Sequence, residues 1–493
     1  MKPSLLLAAL VLSFAVSEHA GAQLLFSNYG AAVEIAEGDV LVSEPNSRYR
    51  AGTIYVYRQA DGEWAESARI IAPDAANYDG FGHDLAPSGN RMLVAATRQG
   101  SGRIYEFQRH ADGAWTLKNT ISEGGLSTED GFASTVAFDG DLAVVGAPGK
   151  VQFGPPGHPK KTGSVYVYRL NPAGEWAREA ILTAGNAENA SAFGHAVAIV
   201  DGHIVVGAPG TNKQTGSAYV FSSESGAWKE ASILTYTGAG EGSEFGASVE
   251  RAGSLVLVGA PGADPAGAVV AFAQSEGGWS EDRTLNPFDG QKRGGFGAYL
   301  SAGQDAMVIS APMAMRAQGS VYVIEGKSGA WTGAARVTAV EARGGDFFGG
   351  AVAMGDDLLV VSSLGDDGMA GTAAVFERTG AGWNQTATLR SEPANLEPIT
   401  GEKKDCADGS ADLFECSRVD LISFLPVQAL GGARGVMVND LWGWTDPTTE
   451  REYVLQGRTD GTSFIDITDP SNPVYLGQLP LTEGAQPAVW RDI

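Results

Sequence analysis

Between residues 195 and 235 the chain switches between apolar runs and turn residues at intervals too short for helices. His195 to Val200 is an apolar run, Asp201-Gly202 is a two-residue hairpin signal, and His203 to Ala208 is a second run that Pro209 ends. The loop GTNKQTG leads to SAYVF at 217–221, a turn follows at 224–226, and Trp228 to Thr235 supplies a fourth strand. Four short antiparallel strands therefore form one unit. The second strand is apolar on both faces (Ile204, Val205, Val206, Ala208), so the unit alone would leave one apolar face in water. Neighbouring units must cover it.

The neighbours are copies of the same pattern. Trp64, Trp115, Trp176, Trp228, Trp279, Trp331 and Trp383 are separated by 51, 61, 52, 51, 52 and 52 residues. A second marker runs in step: Tyr29, Phe81, Phe132, Phe193, Phe245, Phe296 and Phe348, each followed by Gly or Ala, are spaced 52, 51, 61, 52, 51 and 52. A period near 50 with four strands per copy predicts an all-β fold, a seven-bladed β-propeller of four-stranded antiparallel blades, because radial stacking buries both faces of every sheet. A linear solenoid would need polar capping copies, and the first and last copies are no more polar than the rest. The recurrent Trp, opening a strand just after a turn, reads as a packing wedge between sheets rather than as a sugar-stacking platform.

The residues around these aromatics resemble the FG-GAP repeats of the integrin α-subunit propeller and its bacterial relatives. Phe193-Gly194 with Gly207-Ala208-Pro209 and Phe245-Gly246 with Gly259-Ala260-Pro261 carry the motif in full. Phe132-Ala133 with Gly146-Ala147-Pro148 and Phe296-Gly297 with Ser310-Ala311-Pro312 carry most of it; copies one, two and seven degrade to Ser43-Glu44-Pro45, Ala95-Ala96-Thr97 and Ser362-Ser363-Leu364. Calcium-binding members of that family carry a D-x-D-x-D-G loop between the two elements. Here the interval is a tight turn (Asp139-Gly140-Asp141, Asp201-Gly202-His203, Gly253-Ser254), too short to gather the six to eight oxygens calcium takes. No cofactor is expected, and any calcium would bind without the family's usual loops.

Acidic residues gather instead in the loops from strand four to the next strand one and from strand two to strand three, which leave a blade at the same end. They include Asp79, Asp130, Glu244, Asp346, Asp366 and Asp367, and the insertion of copy three (149–163) adds His158 and Lys160. These eight residues form the expected ligand-binding rim, suited to a cationic or polyhydroxy partner. Solvated turn residues are the plainer alternative.

Composition narrows the setting. Lys and Arg number 34 against 58 Asp and Glu, a net charge of −24, which repels nucleic acid. Gly is 67 of 493 residues without a Gly-X-Y period, so the glycines serve turns rather than a collagen-like helix. Lys2, the apolar run 5–16 and Ala20-Gly21-Ala22 read as a signal peptide over residues 1–22. The run is too short to cross a bilayer, for which about 20 residues are needed, and no later stretch predicts a transmembrane segment. The propeller is expected over 23–390, a linker over 391–404, and a second domain over 405–493.

The second segment carries the only two cysteines, Cys406 and Cys416, which in an exported chain read as a disulfide. Its Cys frame followed by Val419-Asp420-Leu421, the Trp442-Gly443-Trp444-Thr445-Asp446-Pro447 stretch, and Asp466-Ile467-Thr468-Asp469-Pro470 with Asn472-Pro473 resemble the start of a choice-of-anchor B domain, a bacterial surface-protein family with LVIVD-type repeats. The resemblance implies a truncated second propeller-like domain whose remainder, with any anchoring signal, lies beyond Ile493. No nucleophile elbow, zinc-protease helix or phosphate-binding loop is present, and His83, His110, His158, His195 and His203 do not cluster. The expected function is therefore binding or adhesion to an extracellular protein or glycan at the cell surface or in the periplasm, without catalysis in this region. The alternative is an accessory propeller of an extracellular hydrolase.

Overall fold

The computed structural model describes all residues except 1–27, 48–49, 153–159, 187–189, 225, 327–330, 332, 381, 393–395, 413 and 483–493. The signal peptide of residues 1–22 and His158 therefore lie outside the described residues, as does the side chain of Lys160.

The fold is all-β, built on eight four-stranded antiparallel sheets consistent with propeller blades. In chain order they cover residues 33–71 (sheet 1), 81–122 (sheet 2), 135–182 (sheet 3), 196–234 (sheet 4), 248–285 (sheet 5), 300–337 (sheet 6), 348–389 (sheet 7) and 438–480 (sheet 8). Each is a simple meander in which sequential strands pair. Sheet 4 shows why: its first two strands, Ala196–Val200 and His203–Ala208, are joined by Asp201 and Gly202 at φ 47° and 80°, the left-handed pair a two-residue hairpin turn requires. The second strands of sheets 1 to 7 are almost wholly buried, as their largely apolar centres demand.

That burial comes from between the sheets. Seven apolar clusters each combine side chains of two sheets: six join sheets consecutive in the chain, and one joins sheet 7 (Ala351, Val360, Val375) to sheet 1 (Val33, Val42, Tyr55). The first strands of consecutive sheets touch, and the first strand of sheet 7 touches that of sheet 1. One tryptophan packs against each cluster, half-buried at the start of its fourth strand. Three indoles reach back to the neighbouring sheet. Trp64, Trp115 and Trp176 donate to carboxylates of Glu377, Asp39 and Glu106 at 3.1, 3.2 and 2.8 Å.

The repeated Phe is the deeper anchor. Phe193 is fully buried and meets Tyr219 edge-on at 5.4 Å, a contact repeated by Phe81 with Tyr105 and Phe132 with Tyr166. Phe193→Ala is expected to cost about 3–5 kcal/mol, and Trp176→Ala about 2–3 kcal/mol because its indole is only half withdrawn from water. Denaturant titration of both variants checks the order; an equal or reversed ranking would contradict this assignment of roles.

Cys406 and Cys416 form a disulfide, with Cα atoms 5.8 Å apart. Sheet 8 contributes to none of the seven clusters, and its first strand, Val438–Thr445, is exposed throughout, including Trp442 and Trp444. No described helix is long and apolar enough to cross a membrane.

Candidate recognition face

The loops that carry the predicted rim meet because the repeat interlocks across sheets. Just before its third strand, each of four copies places a Gly in a parallel bridge with the Phe of the next copy: Gly163 with Phe193, Gly216 with Phe245, Gly267 with Phe296 and Gly319 with Phe348. The end of one copy's strand 2–3 loop thus lies beside the end of the next 4–1 connection. The Phe-Gly and Gly-Ala-Pro elements form the same kind of joint. A Cβ on Gly207 would lie 2.0 Å from the carbonyl oxygen of Gly246, and one on Gly146 or Gly259 would lie 2.2 or 2.1 Å from the carbonyl oxygens of Gly194 or Gly297. The motif therefore couples each copy to the next, and its glycines exist because two backbones touch there.

Three of the strand 2–3 loops contain a left-handed turn. Asn212, Lys213 and Gln214 have φ between 47° and 65°, as do Met315, Arg316 and Ala317, and Asp367, Gly368 and Met369 repeat it at 50°, 64° and 73°. Consecutive non-glycine residues in this region are strained unless their surroundings hold them. Here the next connection does so: Glu244 and Phe245 donate to the carbonyls of Gln214 and Thr215 at 2.7 and 3.1 Å, and Phe347 and Phe348 to those of Ala317 and Gln318 at 2.8 and 3.1 Å.

The predicted site residues divide between this framework and the surface. Asp79, Asp130 and Asp346 are buried, two residues before the aromatic of their copies, and each accepts an N–H from three residues earlier: Ala76 at 3.1 Å, Ser127 at 2.8 Å and Arg343 at 2.5 Å. Asp79 also accepts from Gly52 and Phe81, both at 3.0 Å. Ser243 takes the same place in copy five, accepting from Gly240 at 2.8 Å. These side chains close the connections. Burial, and then the neighbouring Asp366 and Asp367, raise the Asp346 carboxyl above its usual range. Glu244 is half-buried, and burial raises its carboxyl as well. Asp366 accepts from Thr372 at 2.9 Å, and Asp367 pairs with Arg390 and Arg434 at 2.9 and 2.7 Å. Lys160 lies in a two-residue strand paired with Val151–Gln152, so the copy-three insertion begins as a ribbon. Exposed acids at this end include Glu129, Glu241 and Asp264, the first two paired with Lys161 and Lys213 at 3.4 Å.

The sequence pattern did not single out the acids on the first strands. Glu34, Asp84 and Glu250 lie on the first strands of sheets 1, 2 and 5. Burial pushes Asp84 up to about 6 and Glu250 to about 7, and it raises Glu34 well above its usual range, aided by repulsion from Glu250 and Asp84. Asp84 accepts from Val136 and Leu85 at 2.8 and 2.9 Å. His83 and His195, each next to a Phe-Gly pair, are lowered by their enclosure. Among the described residues no three His, Cys, Asp or Glu side chains are arranged to hold a metal ion.

Raised carboxyls keep protons that the unfolded chain releases, so their stabilisation is complete below the ordinary carboxylate range and is lost as pH rises through about 6 to 7. Glu250→Gln should therefore raise the Tm at pH 8, leave it nearly unchanged at pH 4, and flatten the difference between them. Thermal melts across this range test it, and a variant that keeps the wild-type slope would refute it.

At the opposite end, a depression of about 500 Å³ between sheets 7 and 1 is lined by Asp39, Arg58, Trp64, Arg109, Glu377 and Arg378 among others. Its charges are mutually engaged. Arg58 and Arg109 each make two hydrogen bonds to Asp39, and Arg378 pairs with Glu325.

Four stretches match the family model described as FG-GAP repeat: residues 64–107, 115–168, 176–221 and 331–376. Each runs from a repeat tryptophan into the third strand of the next sheet and so spans an inter-sheet joint. No curated protein matches the chain. Similar solved structures include a protein from Lactobacillus plantarum, 15% identical, with TM-score 0.42, covering 64% of this chain and 86% of that one. Another is Sqt1 from Chaetomium thermophilum, 14% identical, with TM-score 0.44, covering 74% and 88%. Four stretches of the chain are thus similar to FG-GAP repeats, and its strands lie in four-stranded antiparallel meanders consistent with propeller blades.

Proposed function

We propose that sheets 1 to 7 are the blades of one closed seven-bladed FG-GAP propeller, that residues 405–493 begin a second domain of the choice-of-anchor B type, and that the protein is exported and acts by binding. Support for closure comes from the apolar cluster joining sheet 7 to sheet 1. The disulfide fits an oxidising compartment. The ligand is an extracellular protein or glycan, met by the end of the ring where the strand 4–1 and 2–3 loops gather.

One observation carries the recognition reading. Loops at that end are pinned by backbone hydrogen bonds between successive copies, so the exposed Glu241 and Asp264 stand on a fixed frame. Binding of the purified protein to arrayed glycans and matrix proteins tests it. Wild type should bind a cationic or polyhydroxy surface. Shortening 149–163 and replacing Glu241 and Asp264 by Lys should abolish that binding while leaving the melting curve intact. Unchanged binding, or no binding by wild type, would refute the proposal.

A further inference from the structure

Six of the seven contacts between sheets 1 to 7 are spanned by a chain connection, and in five of them backbone N–H groups of that connection donate to the preceding strand 2–3 loop. The contact between sheets 7 and 1 joins elements roughly 300 residues apart, so no short chain connection runs directly from one to the other. A side chain from the second segment sits there. Arg434 donates to the Asp367 carboxylate at 2.7 Å, to the carbonyls of Gly371 and Ala370 at 2.7 and 3.3 Å, and to Ser391 Oγ at 3.3 Å. Its guanidinium also lies 5.8 Å from the ring centre of Tyr29, the repeat aromatic of sheet 1. One planar group thus touches the left-handed turn and third-strand entry of sheet 7 and the anchor of sheet 1.

Ala370 is the counterpart of Thr215 and Gln318, whose carbonyls accept the N–H of the next copy's Phe. Arg434 reaches the matching carbonyl with a side chain. The backbone beside it is equally close. A Cβ on Gly435 would lie 1.5 Å from the Asp367 carbonyl oxygen, and one on Gly368 would lie 2.3 Å from that of Gly435. The loop bearing Arg434 is fixed from behind by sheet 8: Arg458, which is 1% exposed, and Ser463 both donate to the Leu430 carbonyl, the latter at 2.8 Å, and Thr459 donates to that of Met437 at 2.9 Å.

We infer that residues 433–436 of the second segment dock into the joint between sheets 7 and 1 as a clasp, with Arg434 as its anchor, so that this joint opens when the second segment is displaced. Seating of the downstream domain and closure of the propeller are one equilibrium, and whatever pulls on or binds the second segment also acts on sheets 7 and 1.

Hydrogen exchange of the full chain, without ligand, tests this independently of the binding role. In Arg434→Ala, amides at 30–44 and 366–376 should exchange at least about tenfold faster, while the equivalent amides between sheets 4 and 5 (207–221 and 245–259) keep their rates. Arg434→Lys, which keeps the charge but not the fork, should give a smaller increase at the same places, and Gly435→Ala should reproduce the effect of Arg434→Ala. Unchanged exchange at the 7–1 joint in Arg434→Ala and Gly435→Ala would overturn the inference. A uniform rise at every joint would overturn it too, since that marks general destabilisation.

Discussion

Gly207→Ala should destabilise the protein by about 3 kcal/mol, near the upper end of the cost of forcing a methyl group into a packed interior. The added Cβ would lie 2.0 Å from the Gly246 carbonyl oxygen, which belongs to the next copy, and both are backbone atoms with no rotamer to yield. Relief requires sheets 4 and 5 to move apart, which disturbs the cluster that includes Val205, Val220, Phe245 and Val256. Gly226→Ala is the matched control. Gly226 has φ +80° in the turn between the last two strands of sheet 4, with no atom within 4 Å of its would-be Cβ, so it should lose only the roughly 1 kcal/mol that a left-handed turn costs alanine. Urea midpoints at constant m-value compare the two. A Gly207→Ala loss no larger than that of Gly226→Ala would mean that the motif is not a joint between copies.

Asp39→Ala should be at least as damaging, at about 3–5 kcal/mol, the usual cost of removing one partner from a buried ion pair. Asp39, at the start of the second strand of sheet 1, is 1% exposed and accepts from Arg58 in its own sheet and from Arg109 and Trp115 in sheet 2. Its loss leaves two guanidinium groups and an indole facing a void. Although burial opposes it, hydrogen bonds from Arg58, Arg109 and Trp115 lower the Asp39 carboxyl to about 2. A lowered carboxyl stabilises the fold fully above its unfolded value near 4 and ceases to do so as pH falls toward 2. Wild type should therefore lose stability over that interval, and Asp39→Ala should lack this part of the acid limb. An unaltered acid limb, or a variant within about 1 kcal/mol of wild type at pH 7, would show that the bridge contributes little.

Much of the sheet plan was legible along the chain. The strands expected in copy four end within a few residues of those observed, because hairpins such as Asp201-Gly202 and apolar runs such as His203–Ala208 are specified by adjacent residues. The spacing of the tryptophans foretold a wedge in each inter-sheet cluster. The rim was less legible. Asp79, Asp130 and Asp346 stand among turn residues and look like surface acids, yet their carboxylates are turned inward onto backbone N–H groups of their own connections. Nor does GTNKQTG announce three successive left-handed residues, since Asn212, Lys213 and Gln214 are held in that shape by the connection some thirty residues onward.

By itself, then, the sequence determined the repeat, its four strands, the tight turns that leave no room for a calcium loop, and the pairing of Cys406 with Cys416. Each of these depends on residues close together in the chain or on a period that repeats within it. Only the tertiary structure decided that Phe-Gly meets the Gly-Ala-Pro of the preceding copy, that burial raises the Glu34, Asp84 and Glu250 carboxyls above their ordinary range, and that Arg434 lies across the joint of sheets 7 and 1. Those contacts bring together groups roughly 40 to 400 residues apart, and their strength comes from excluding water and from backbone approach, neither of which leaves a local mark on the chain.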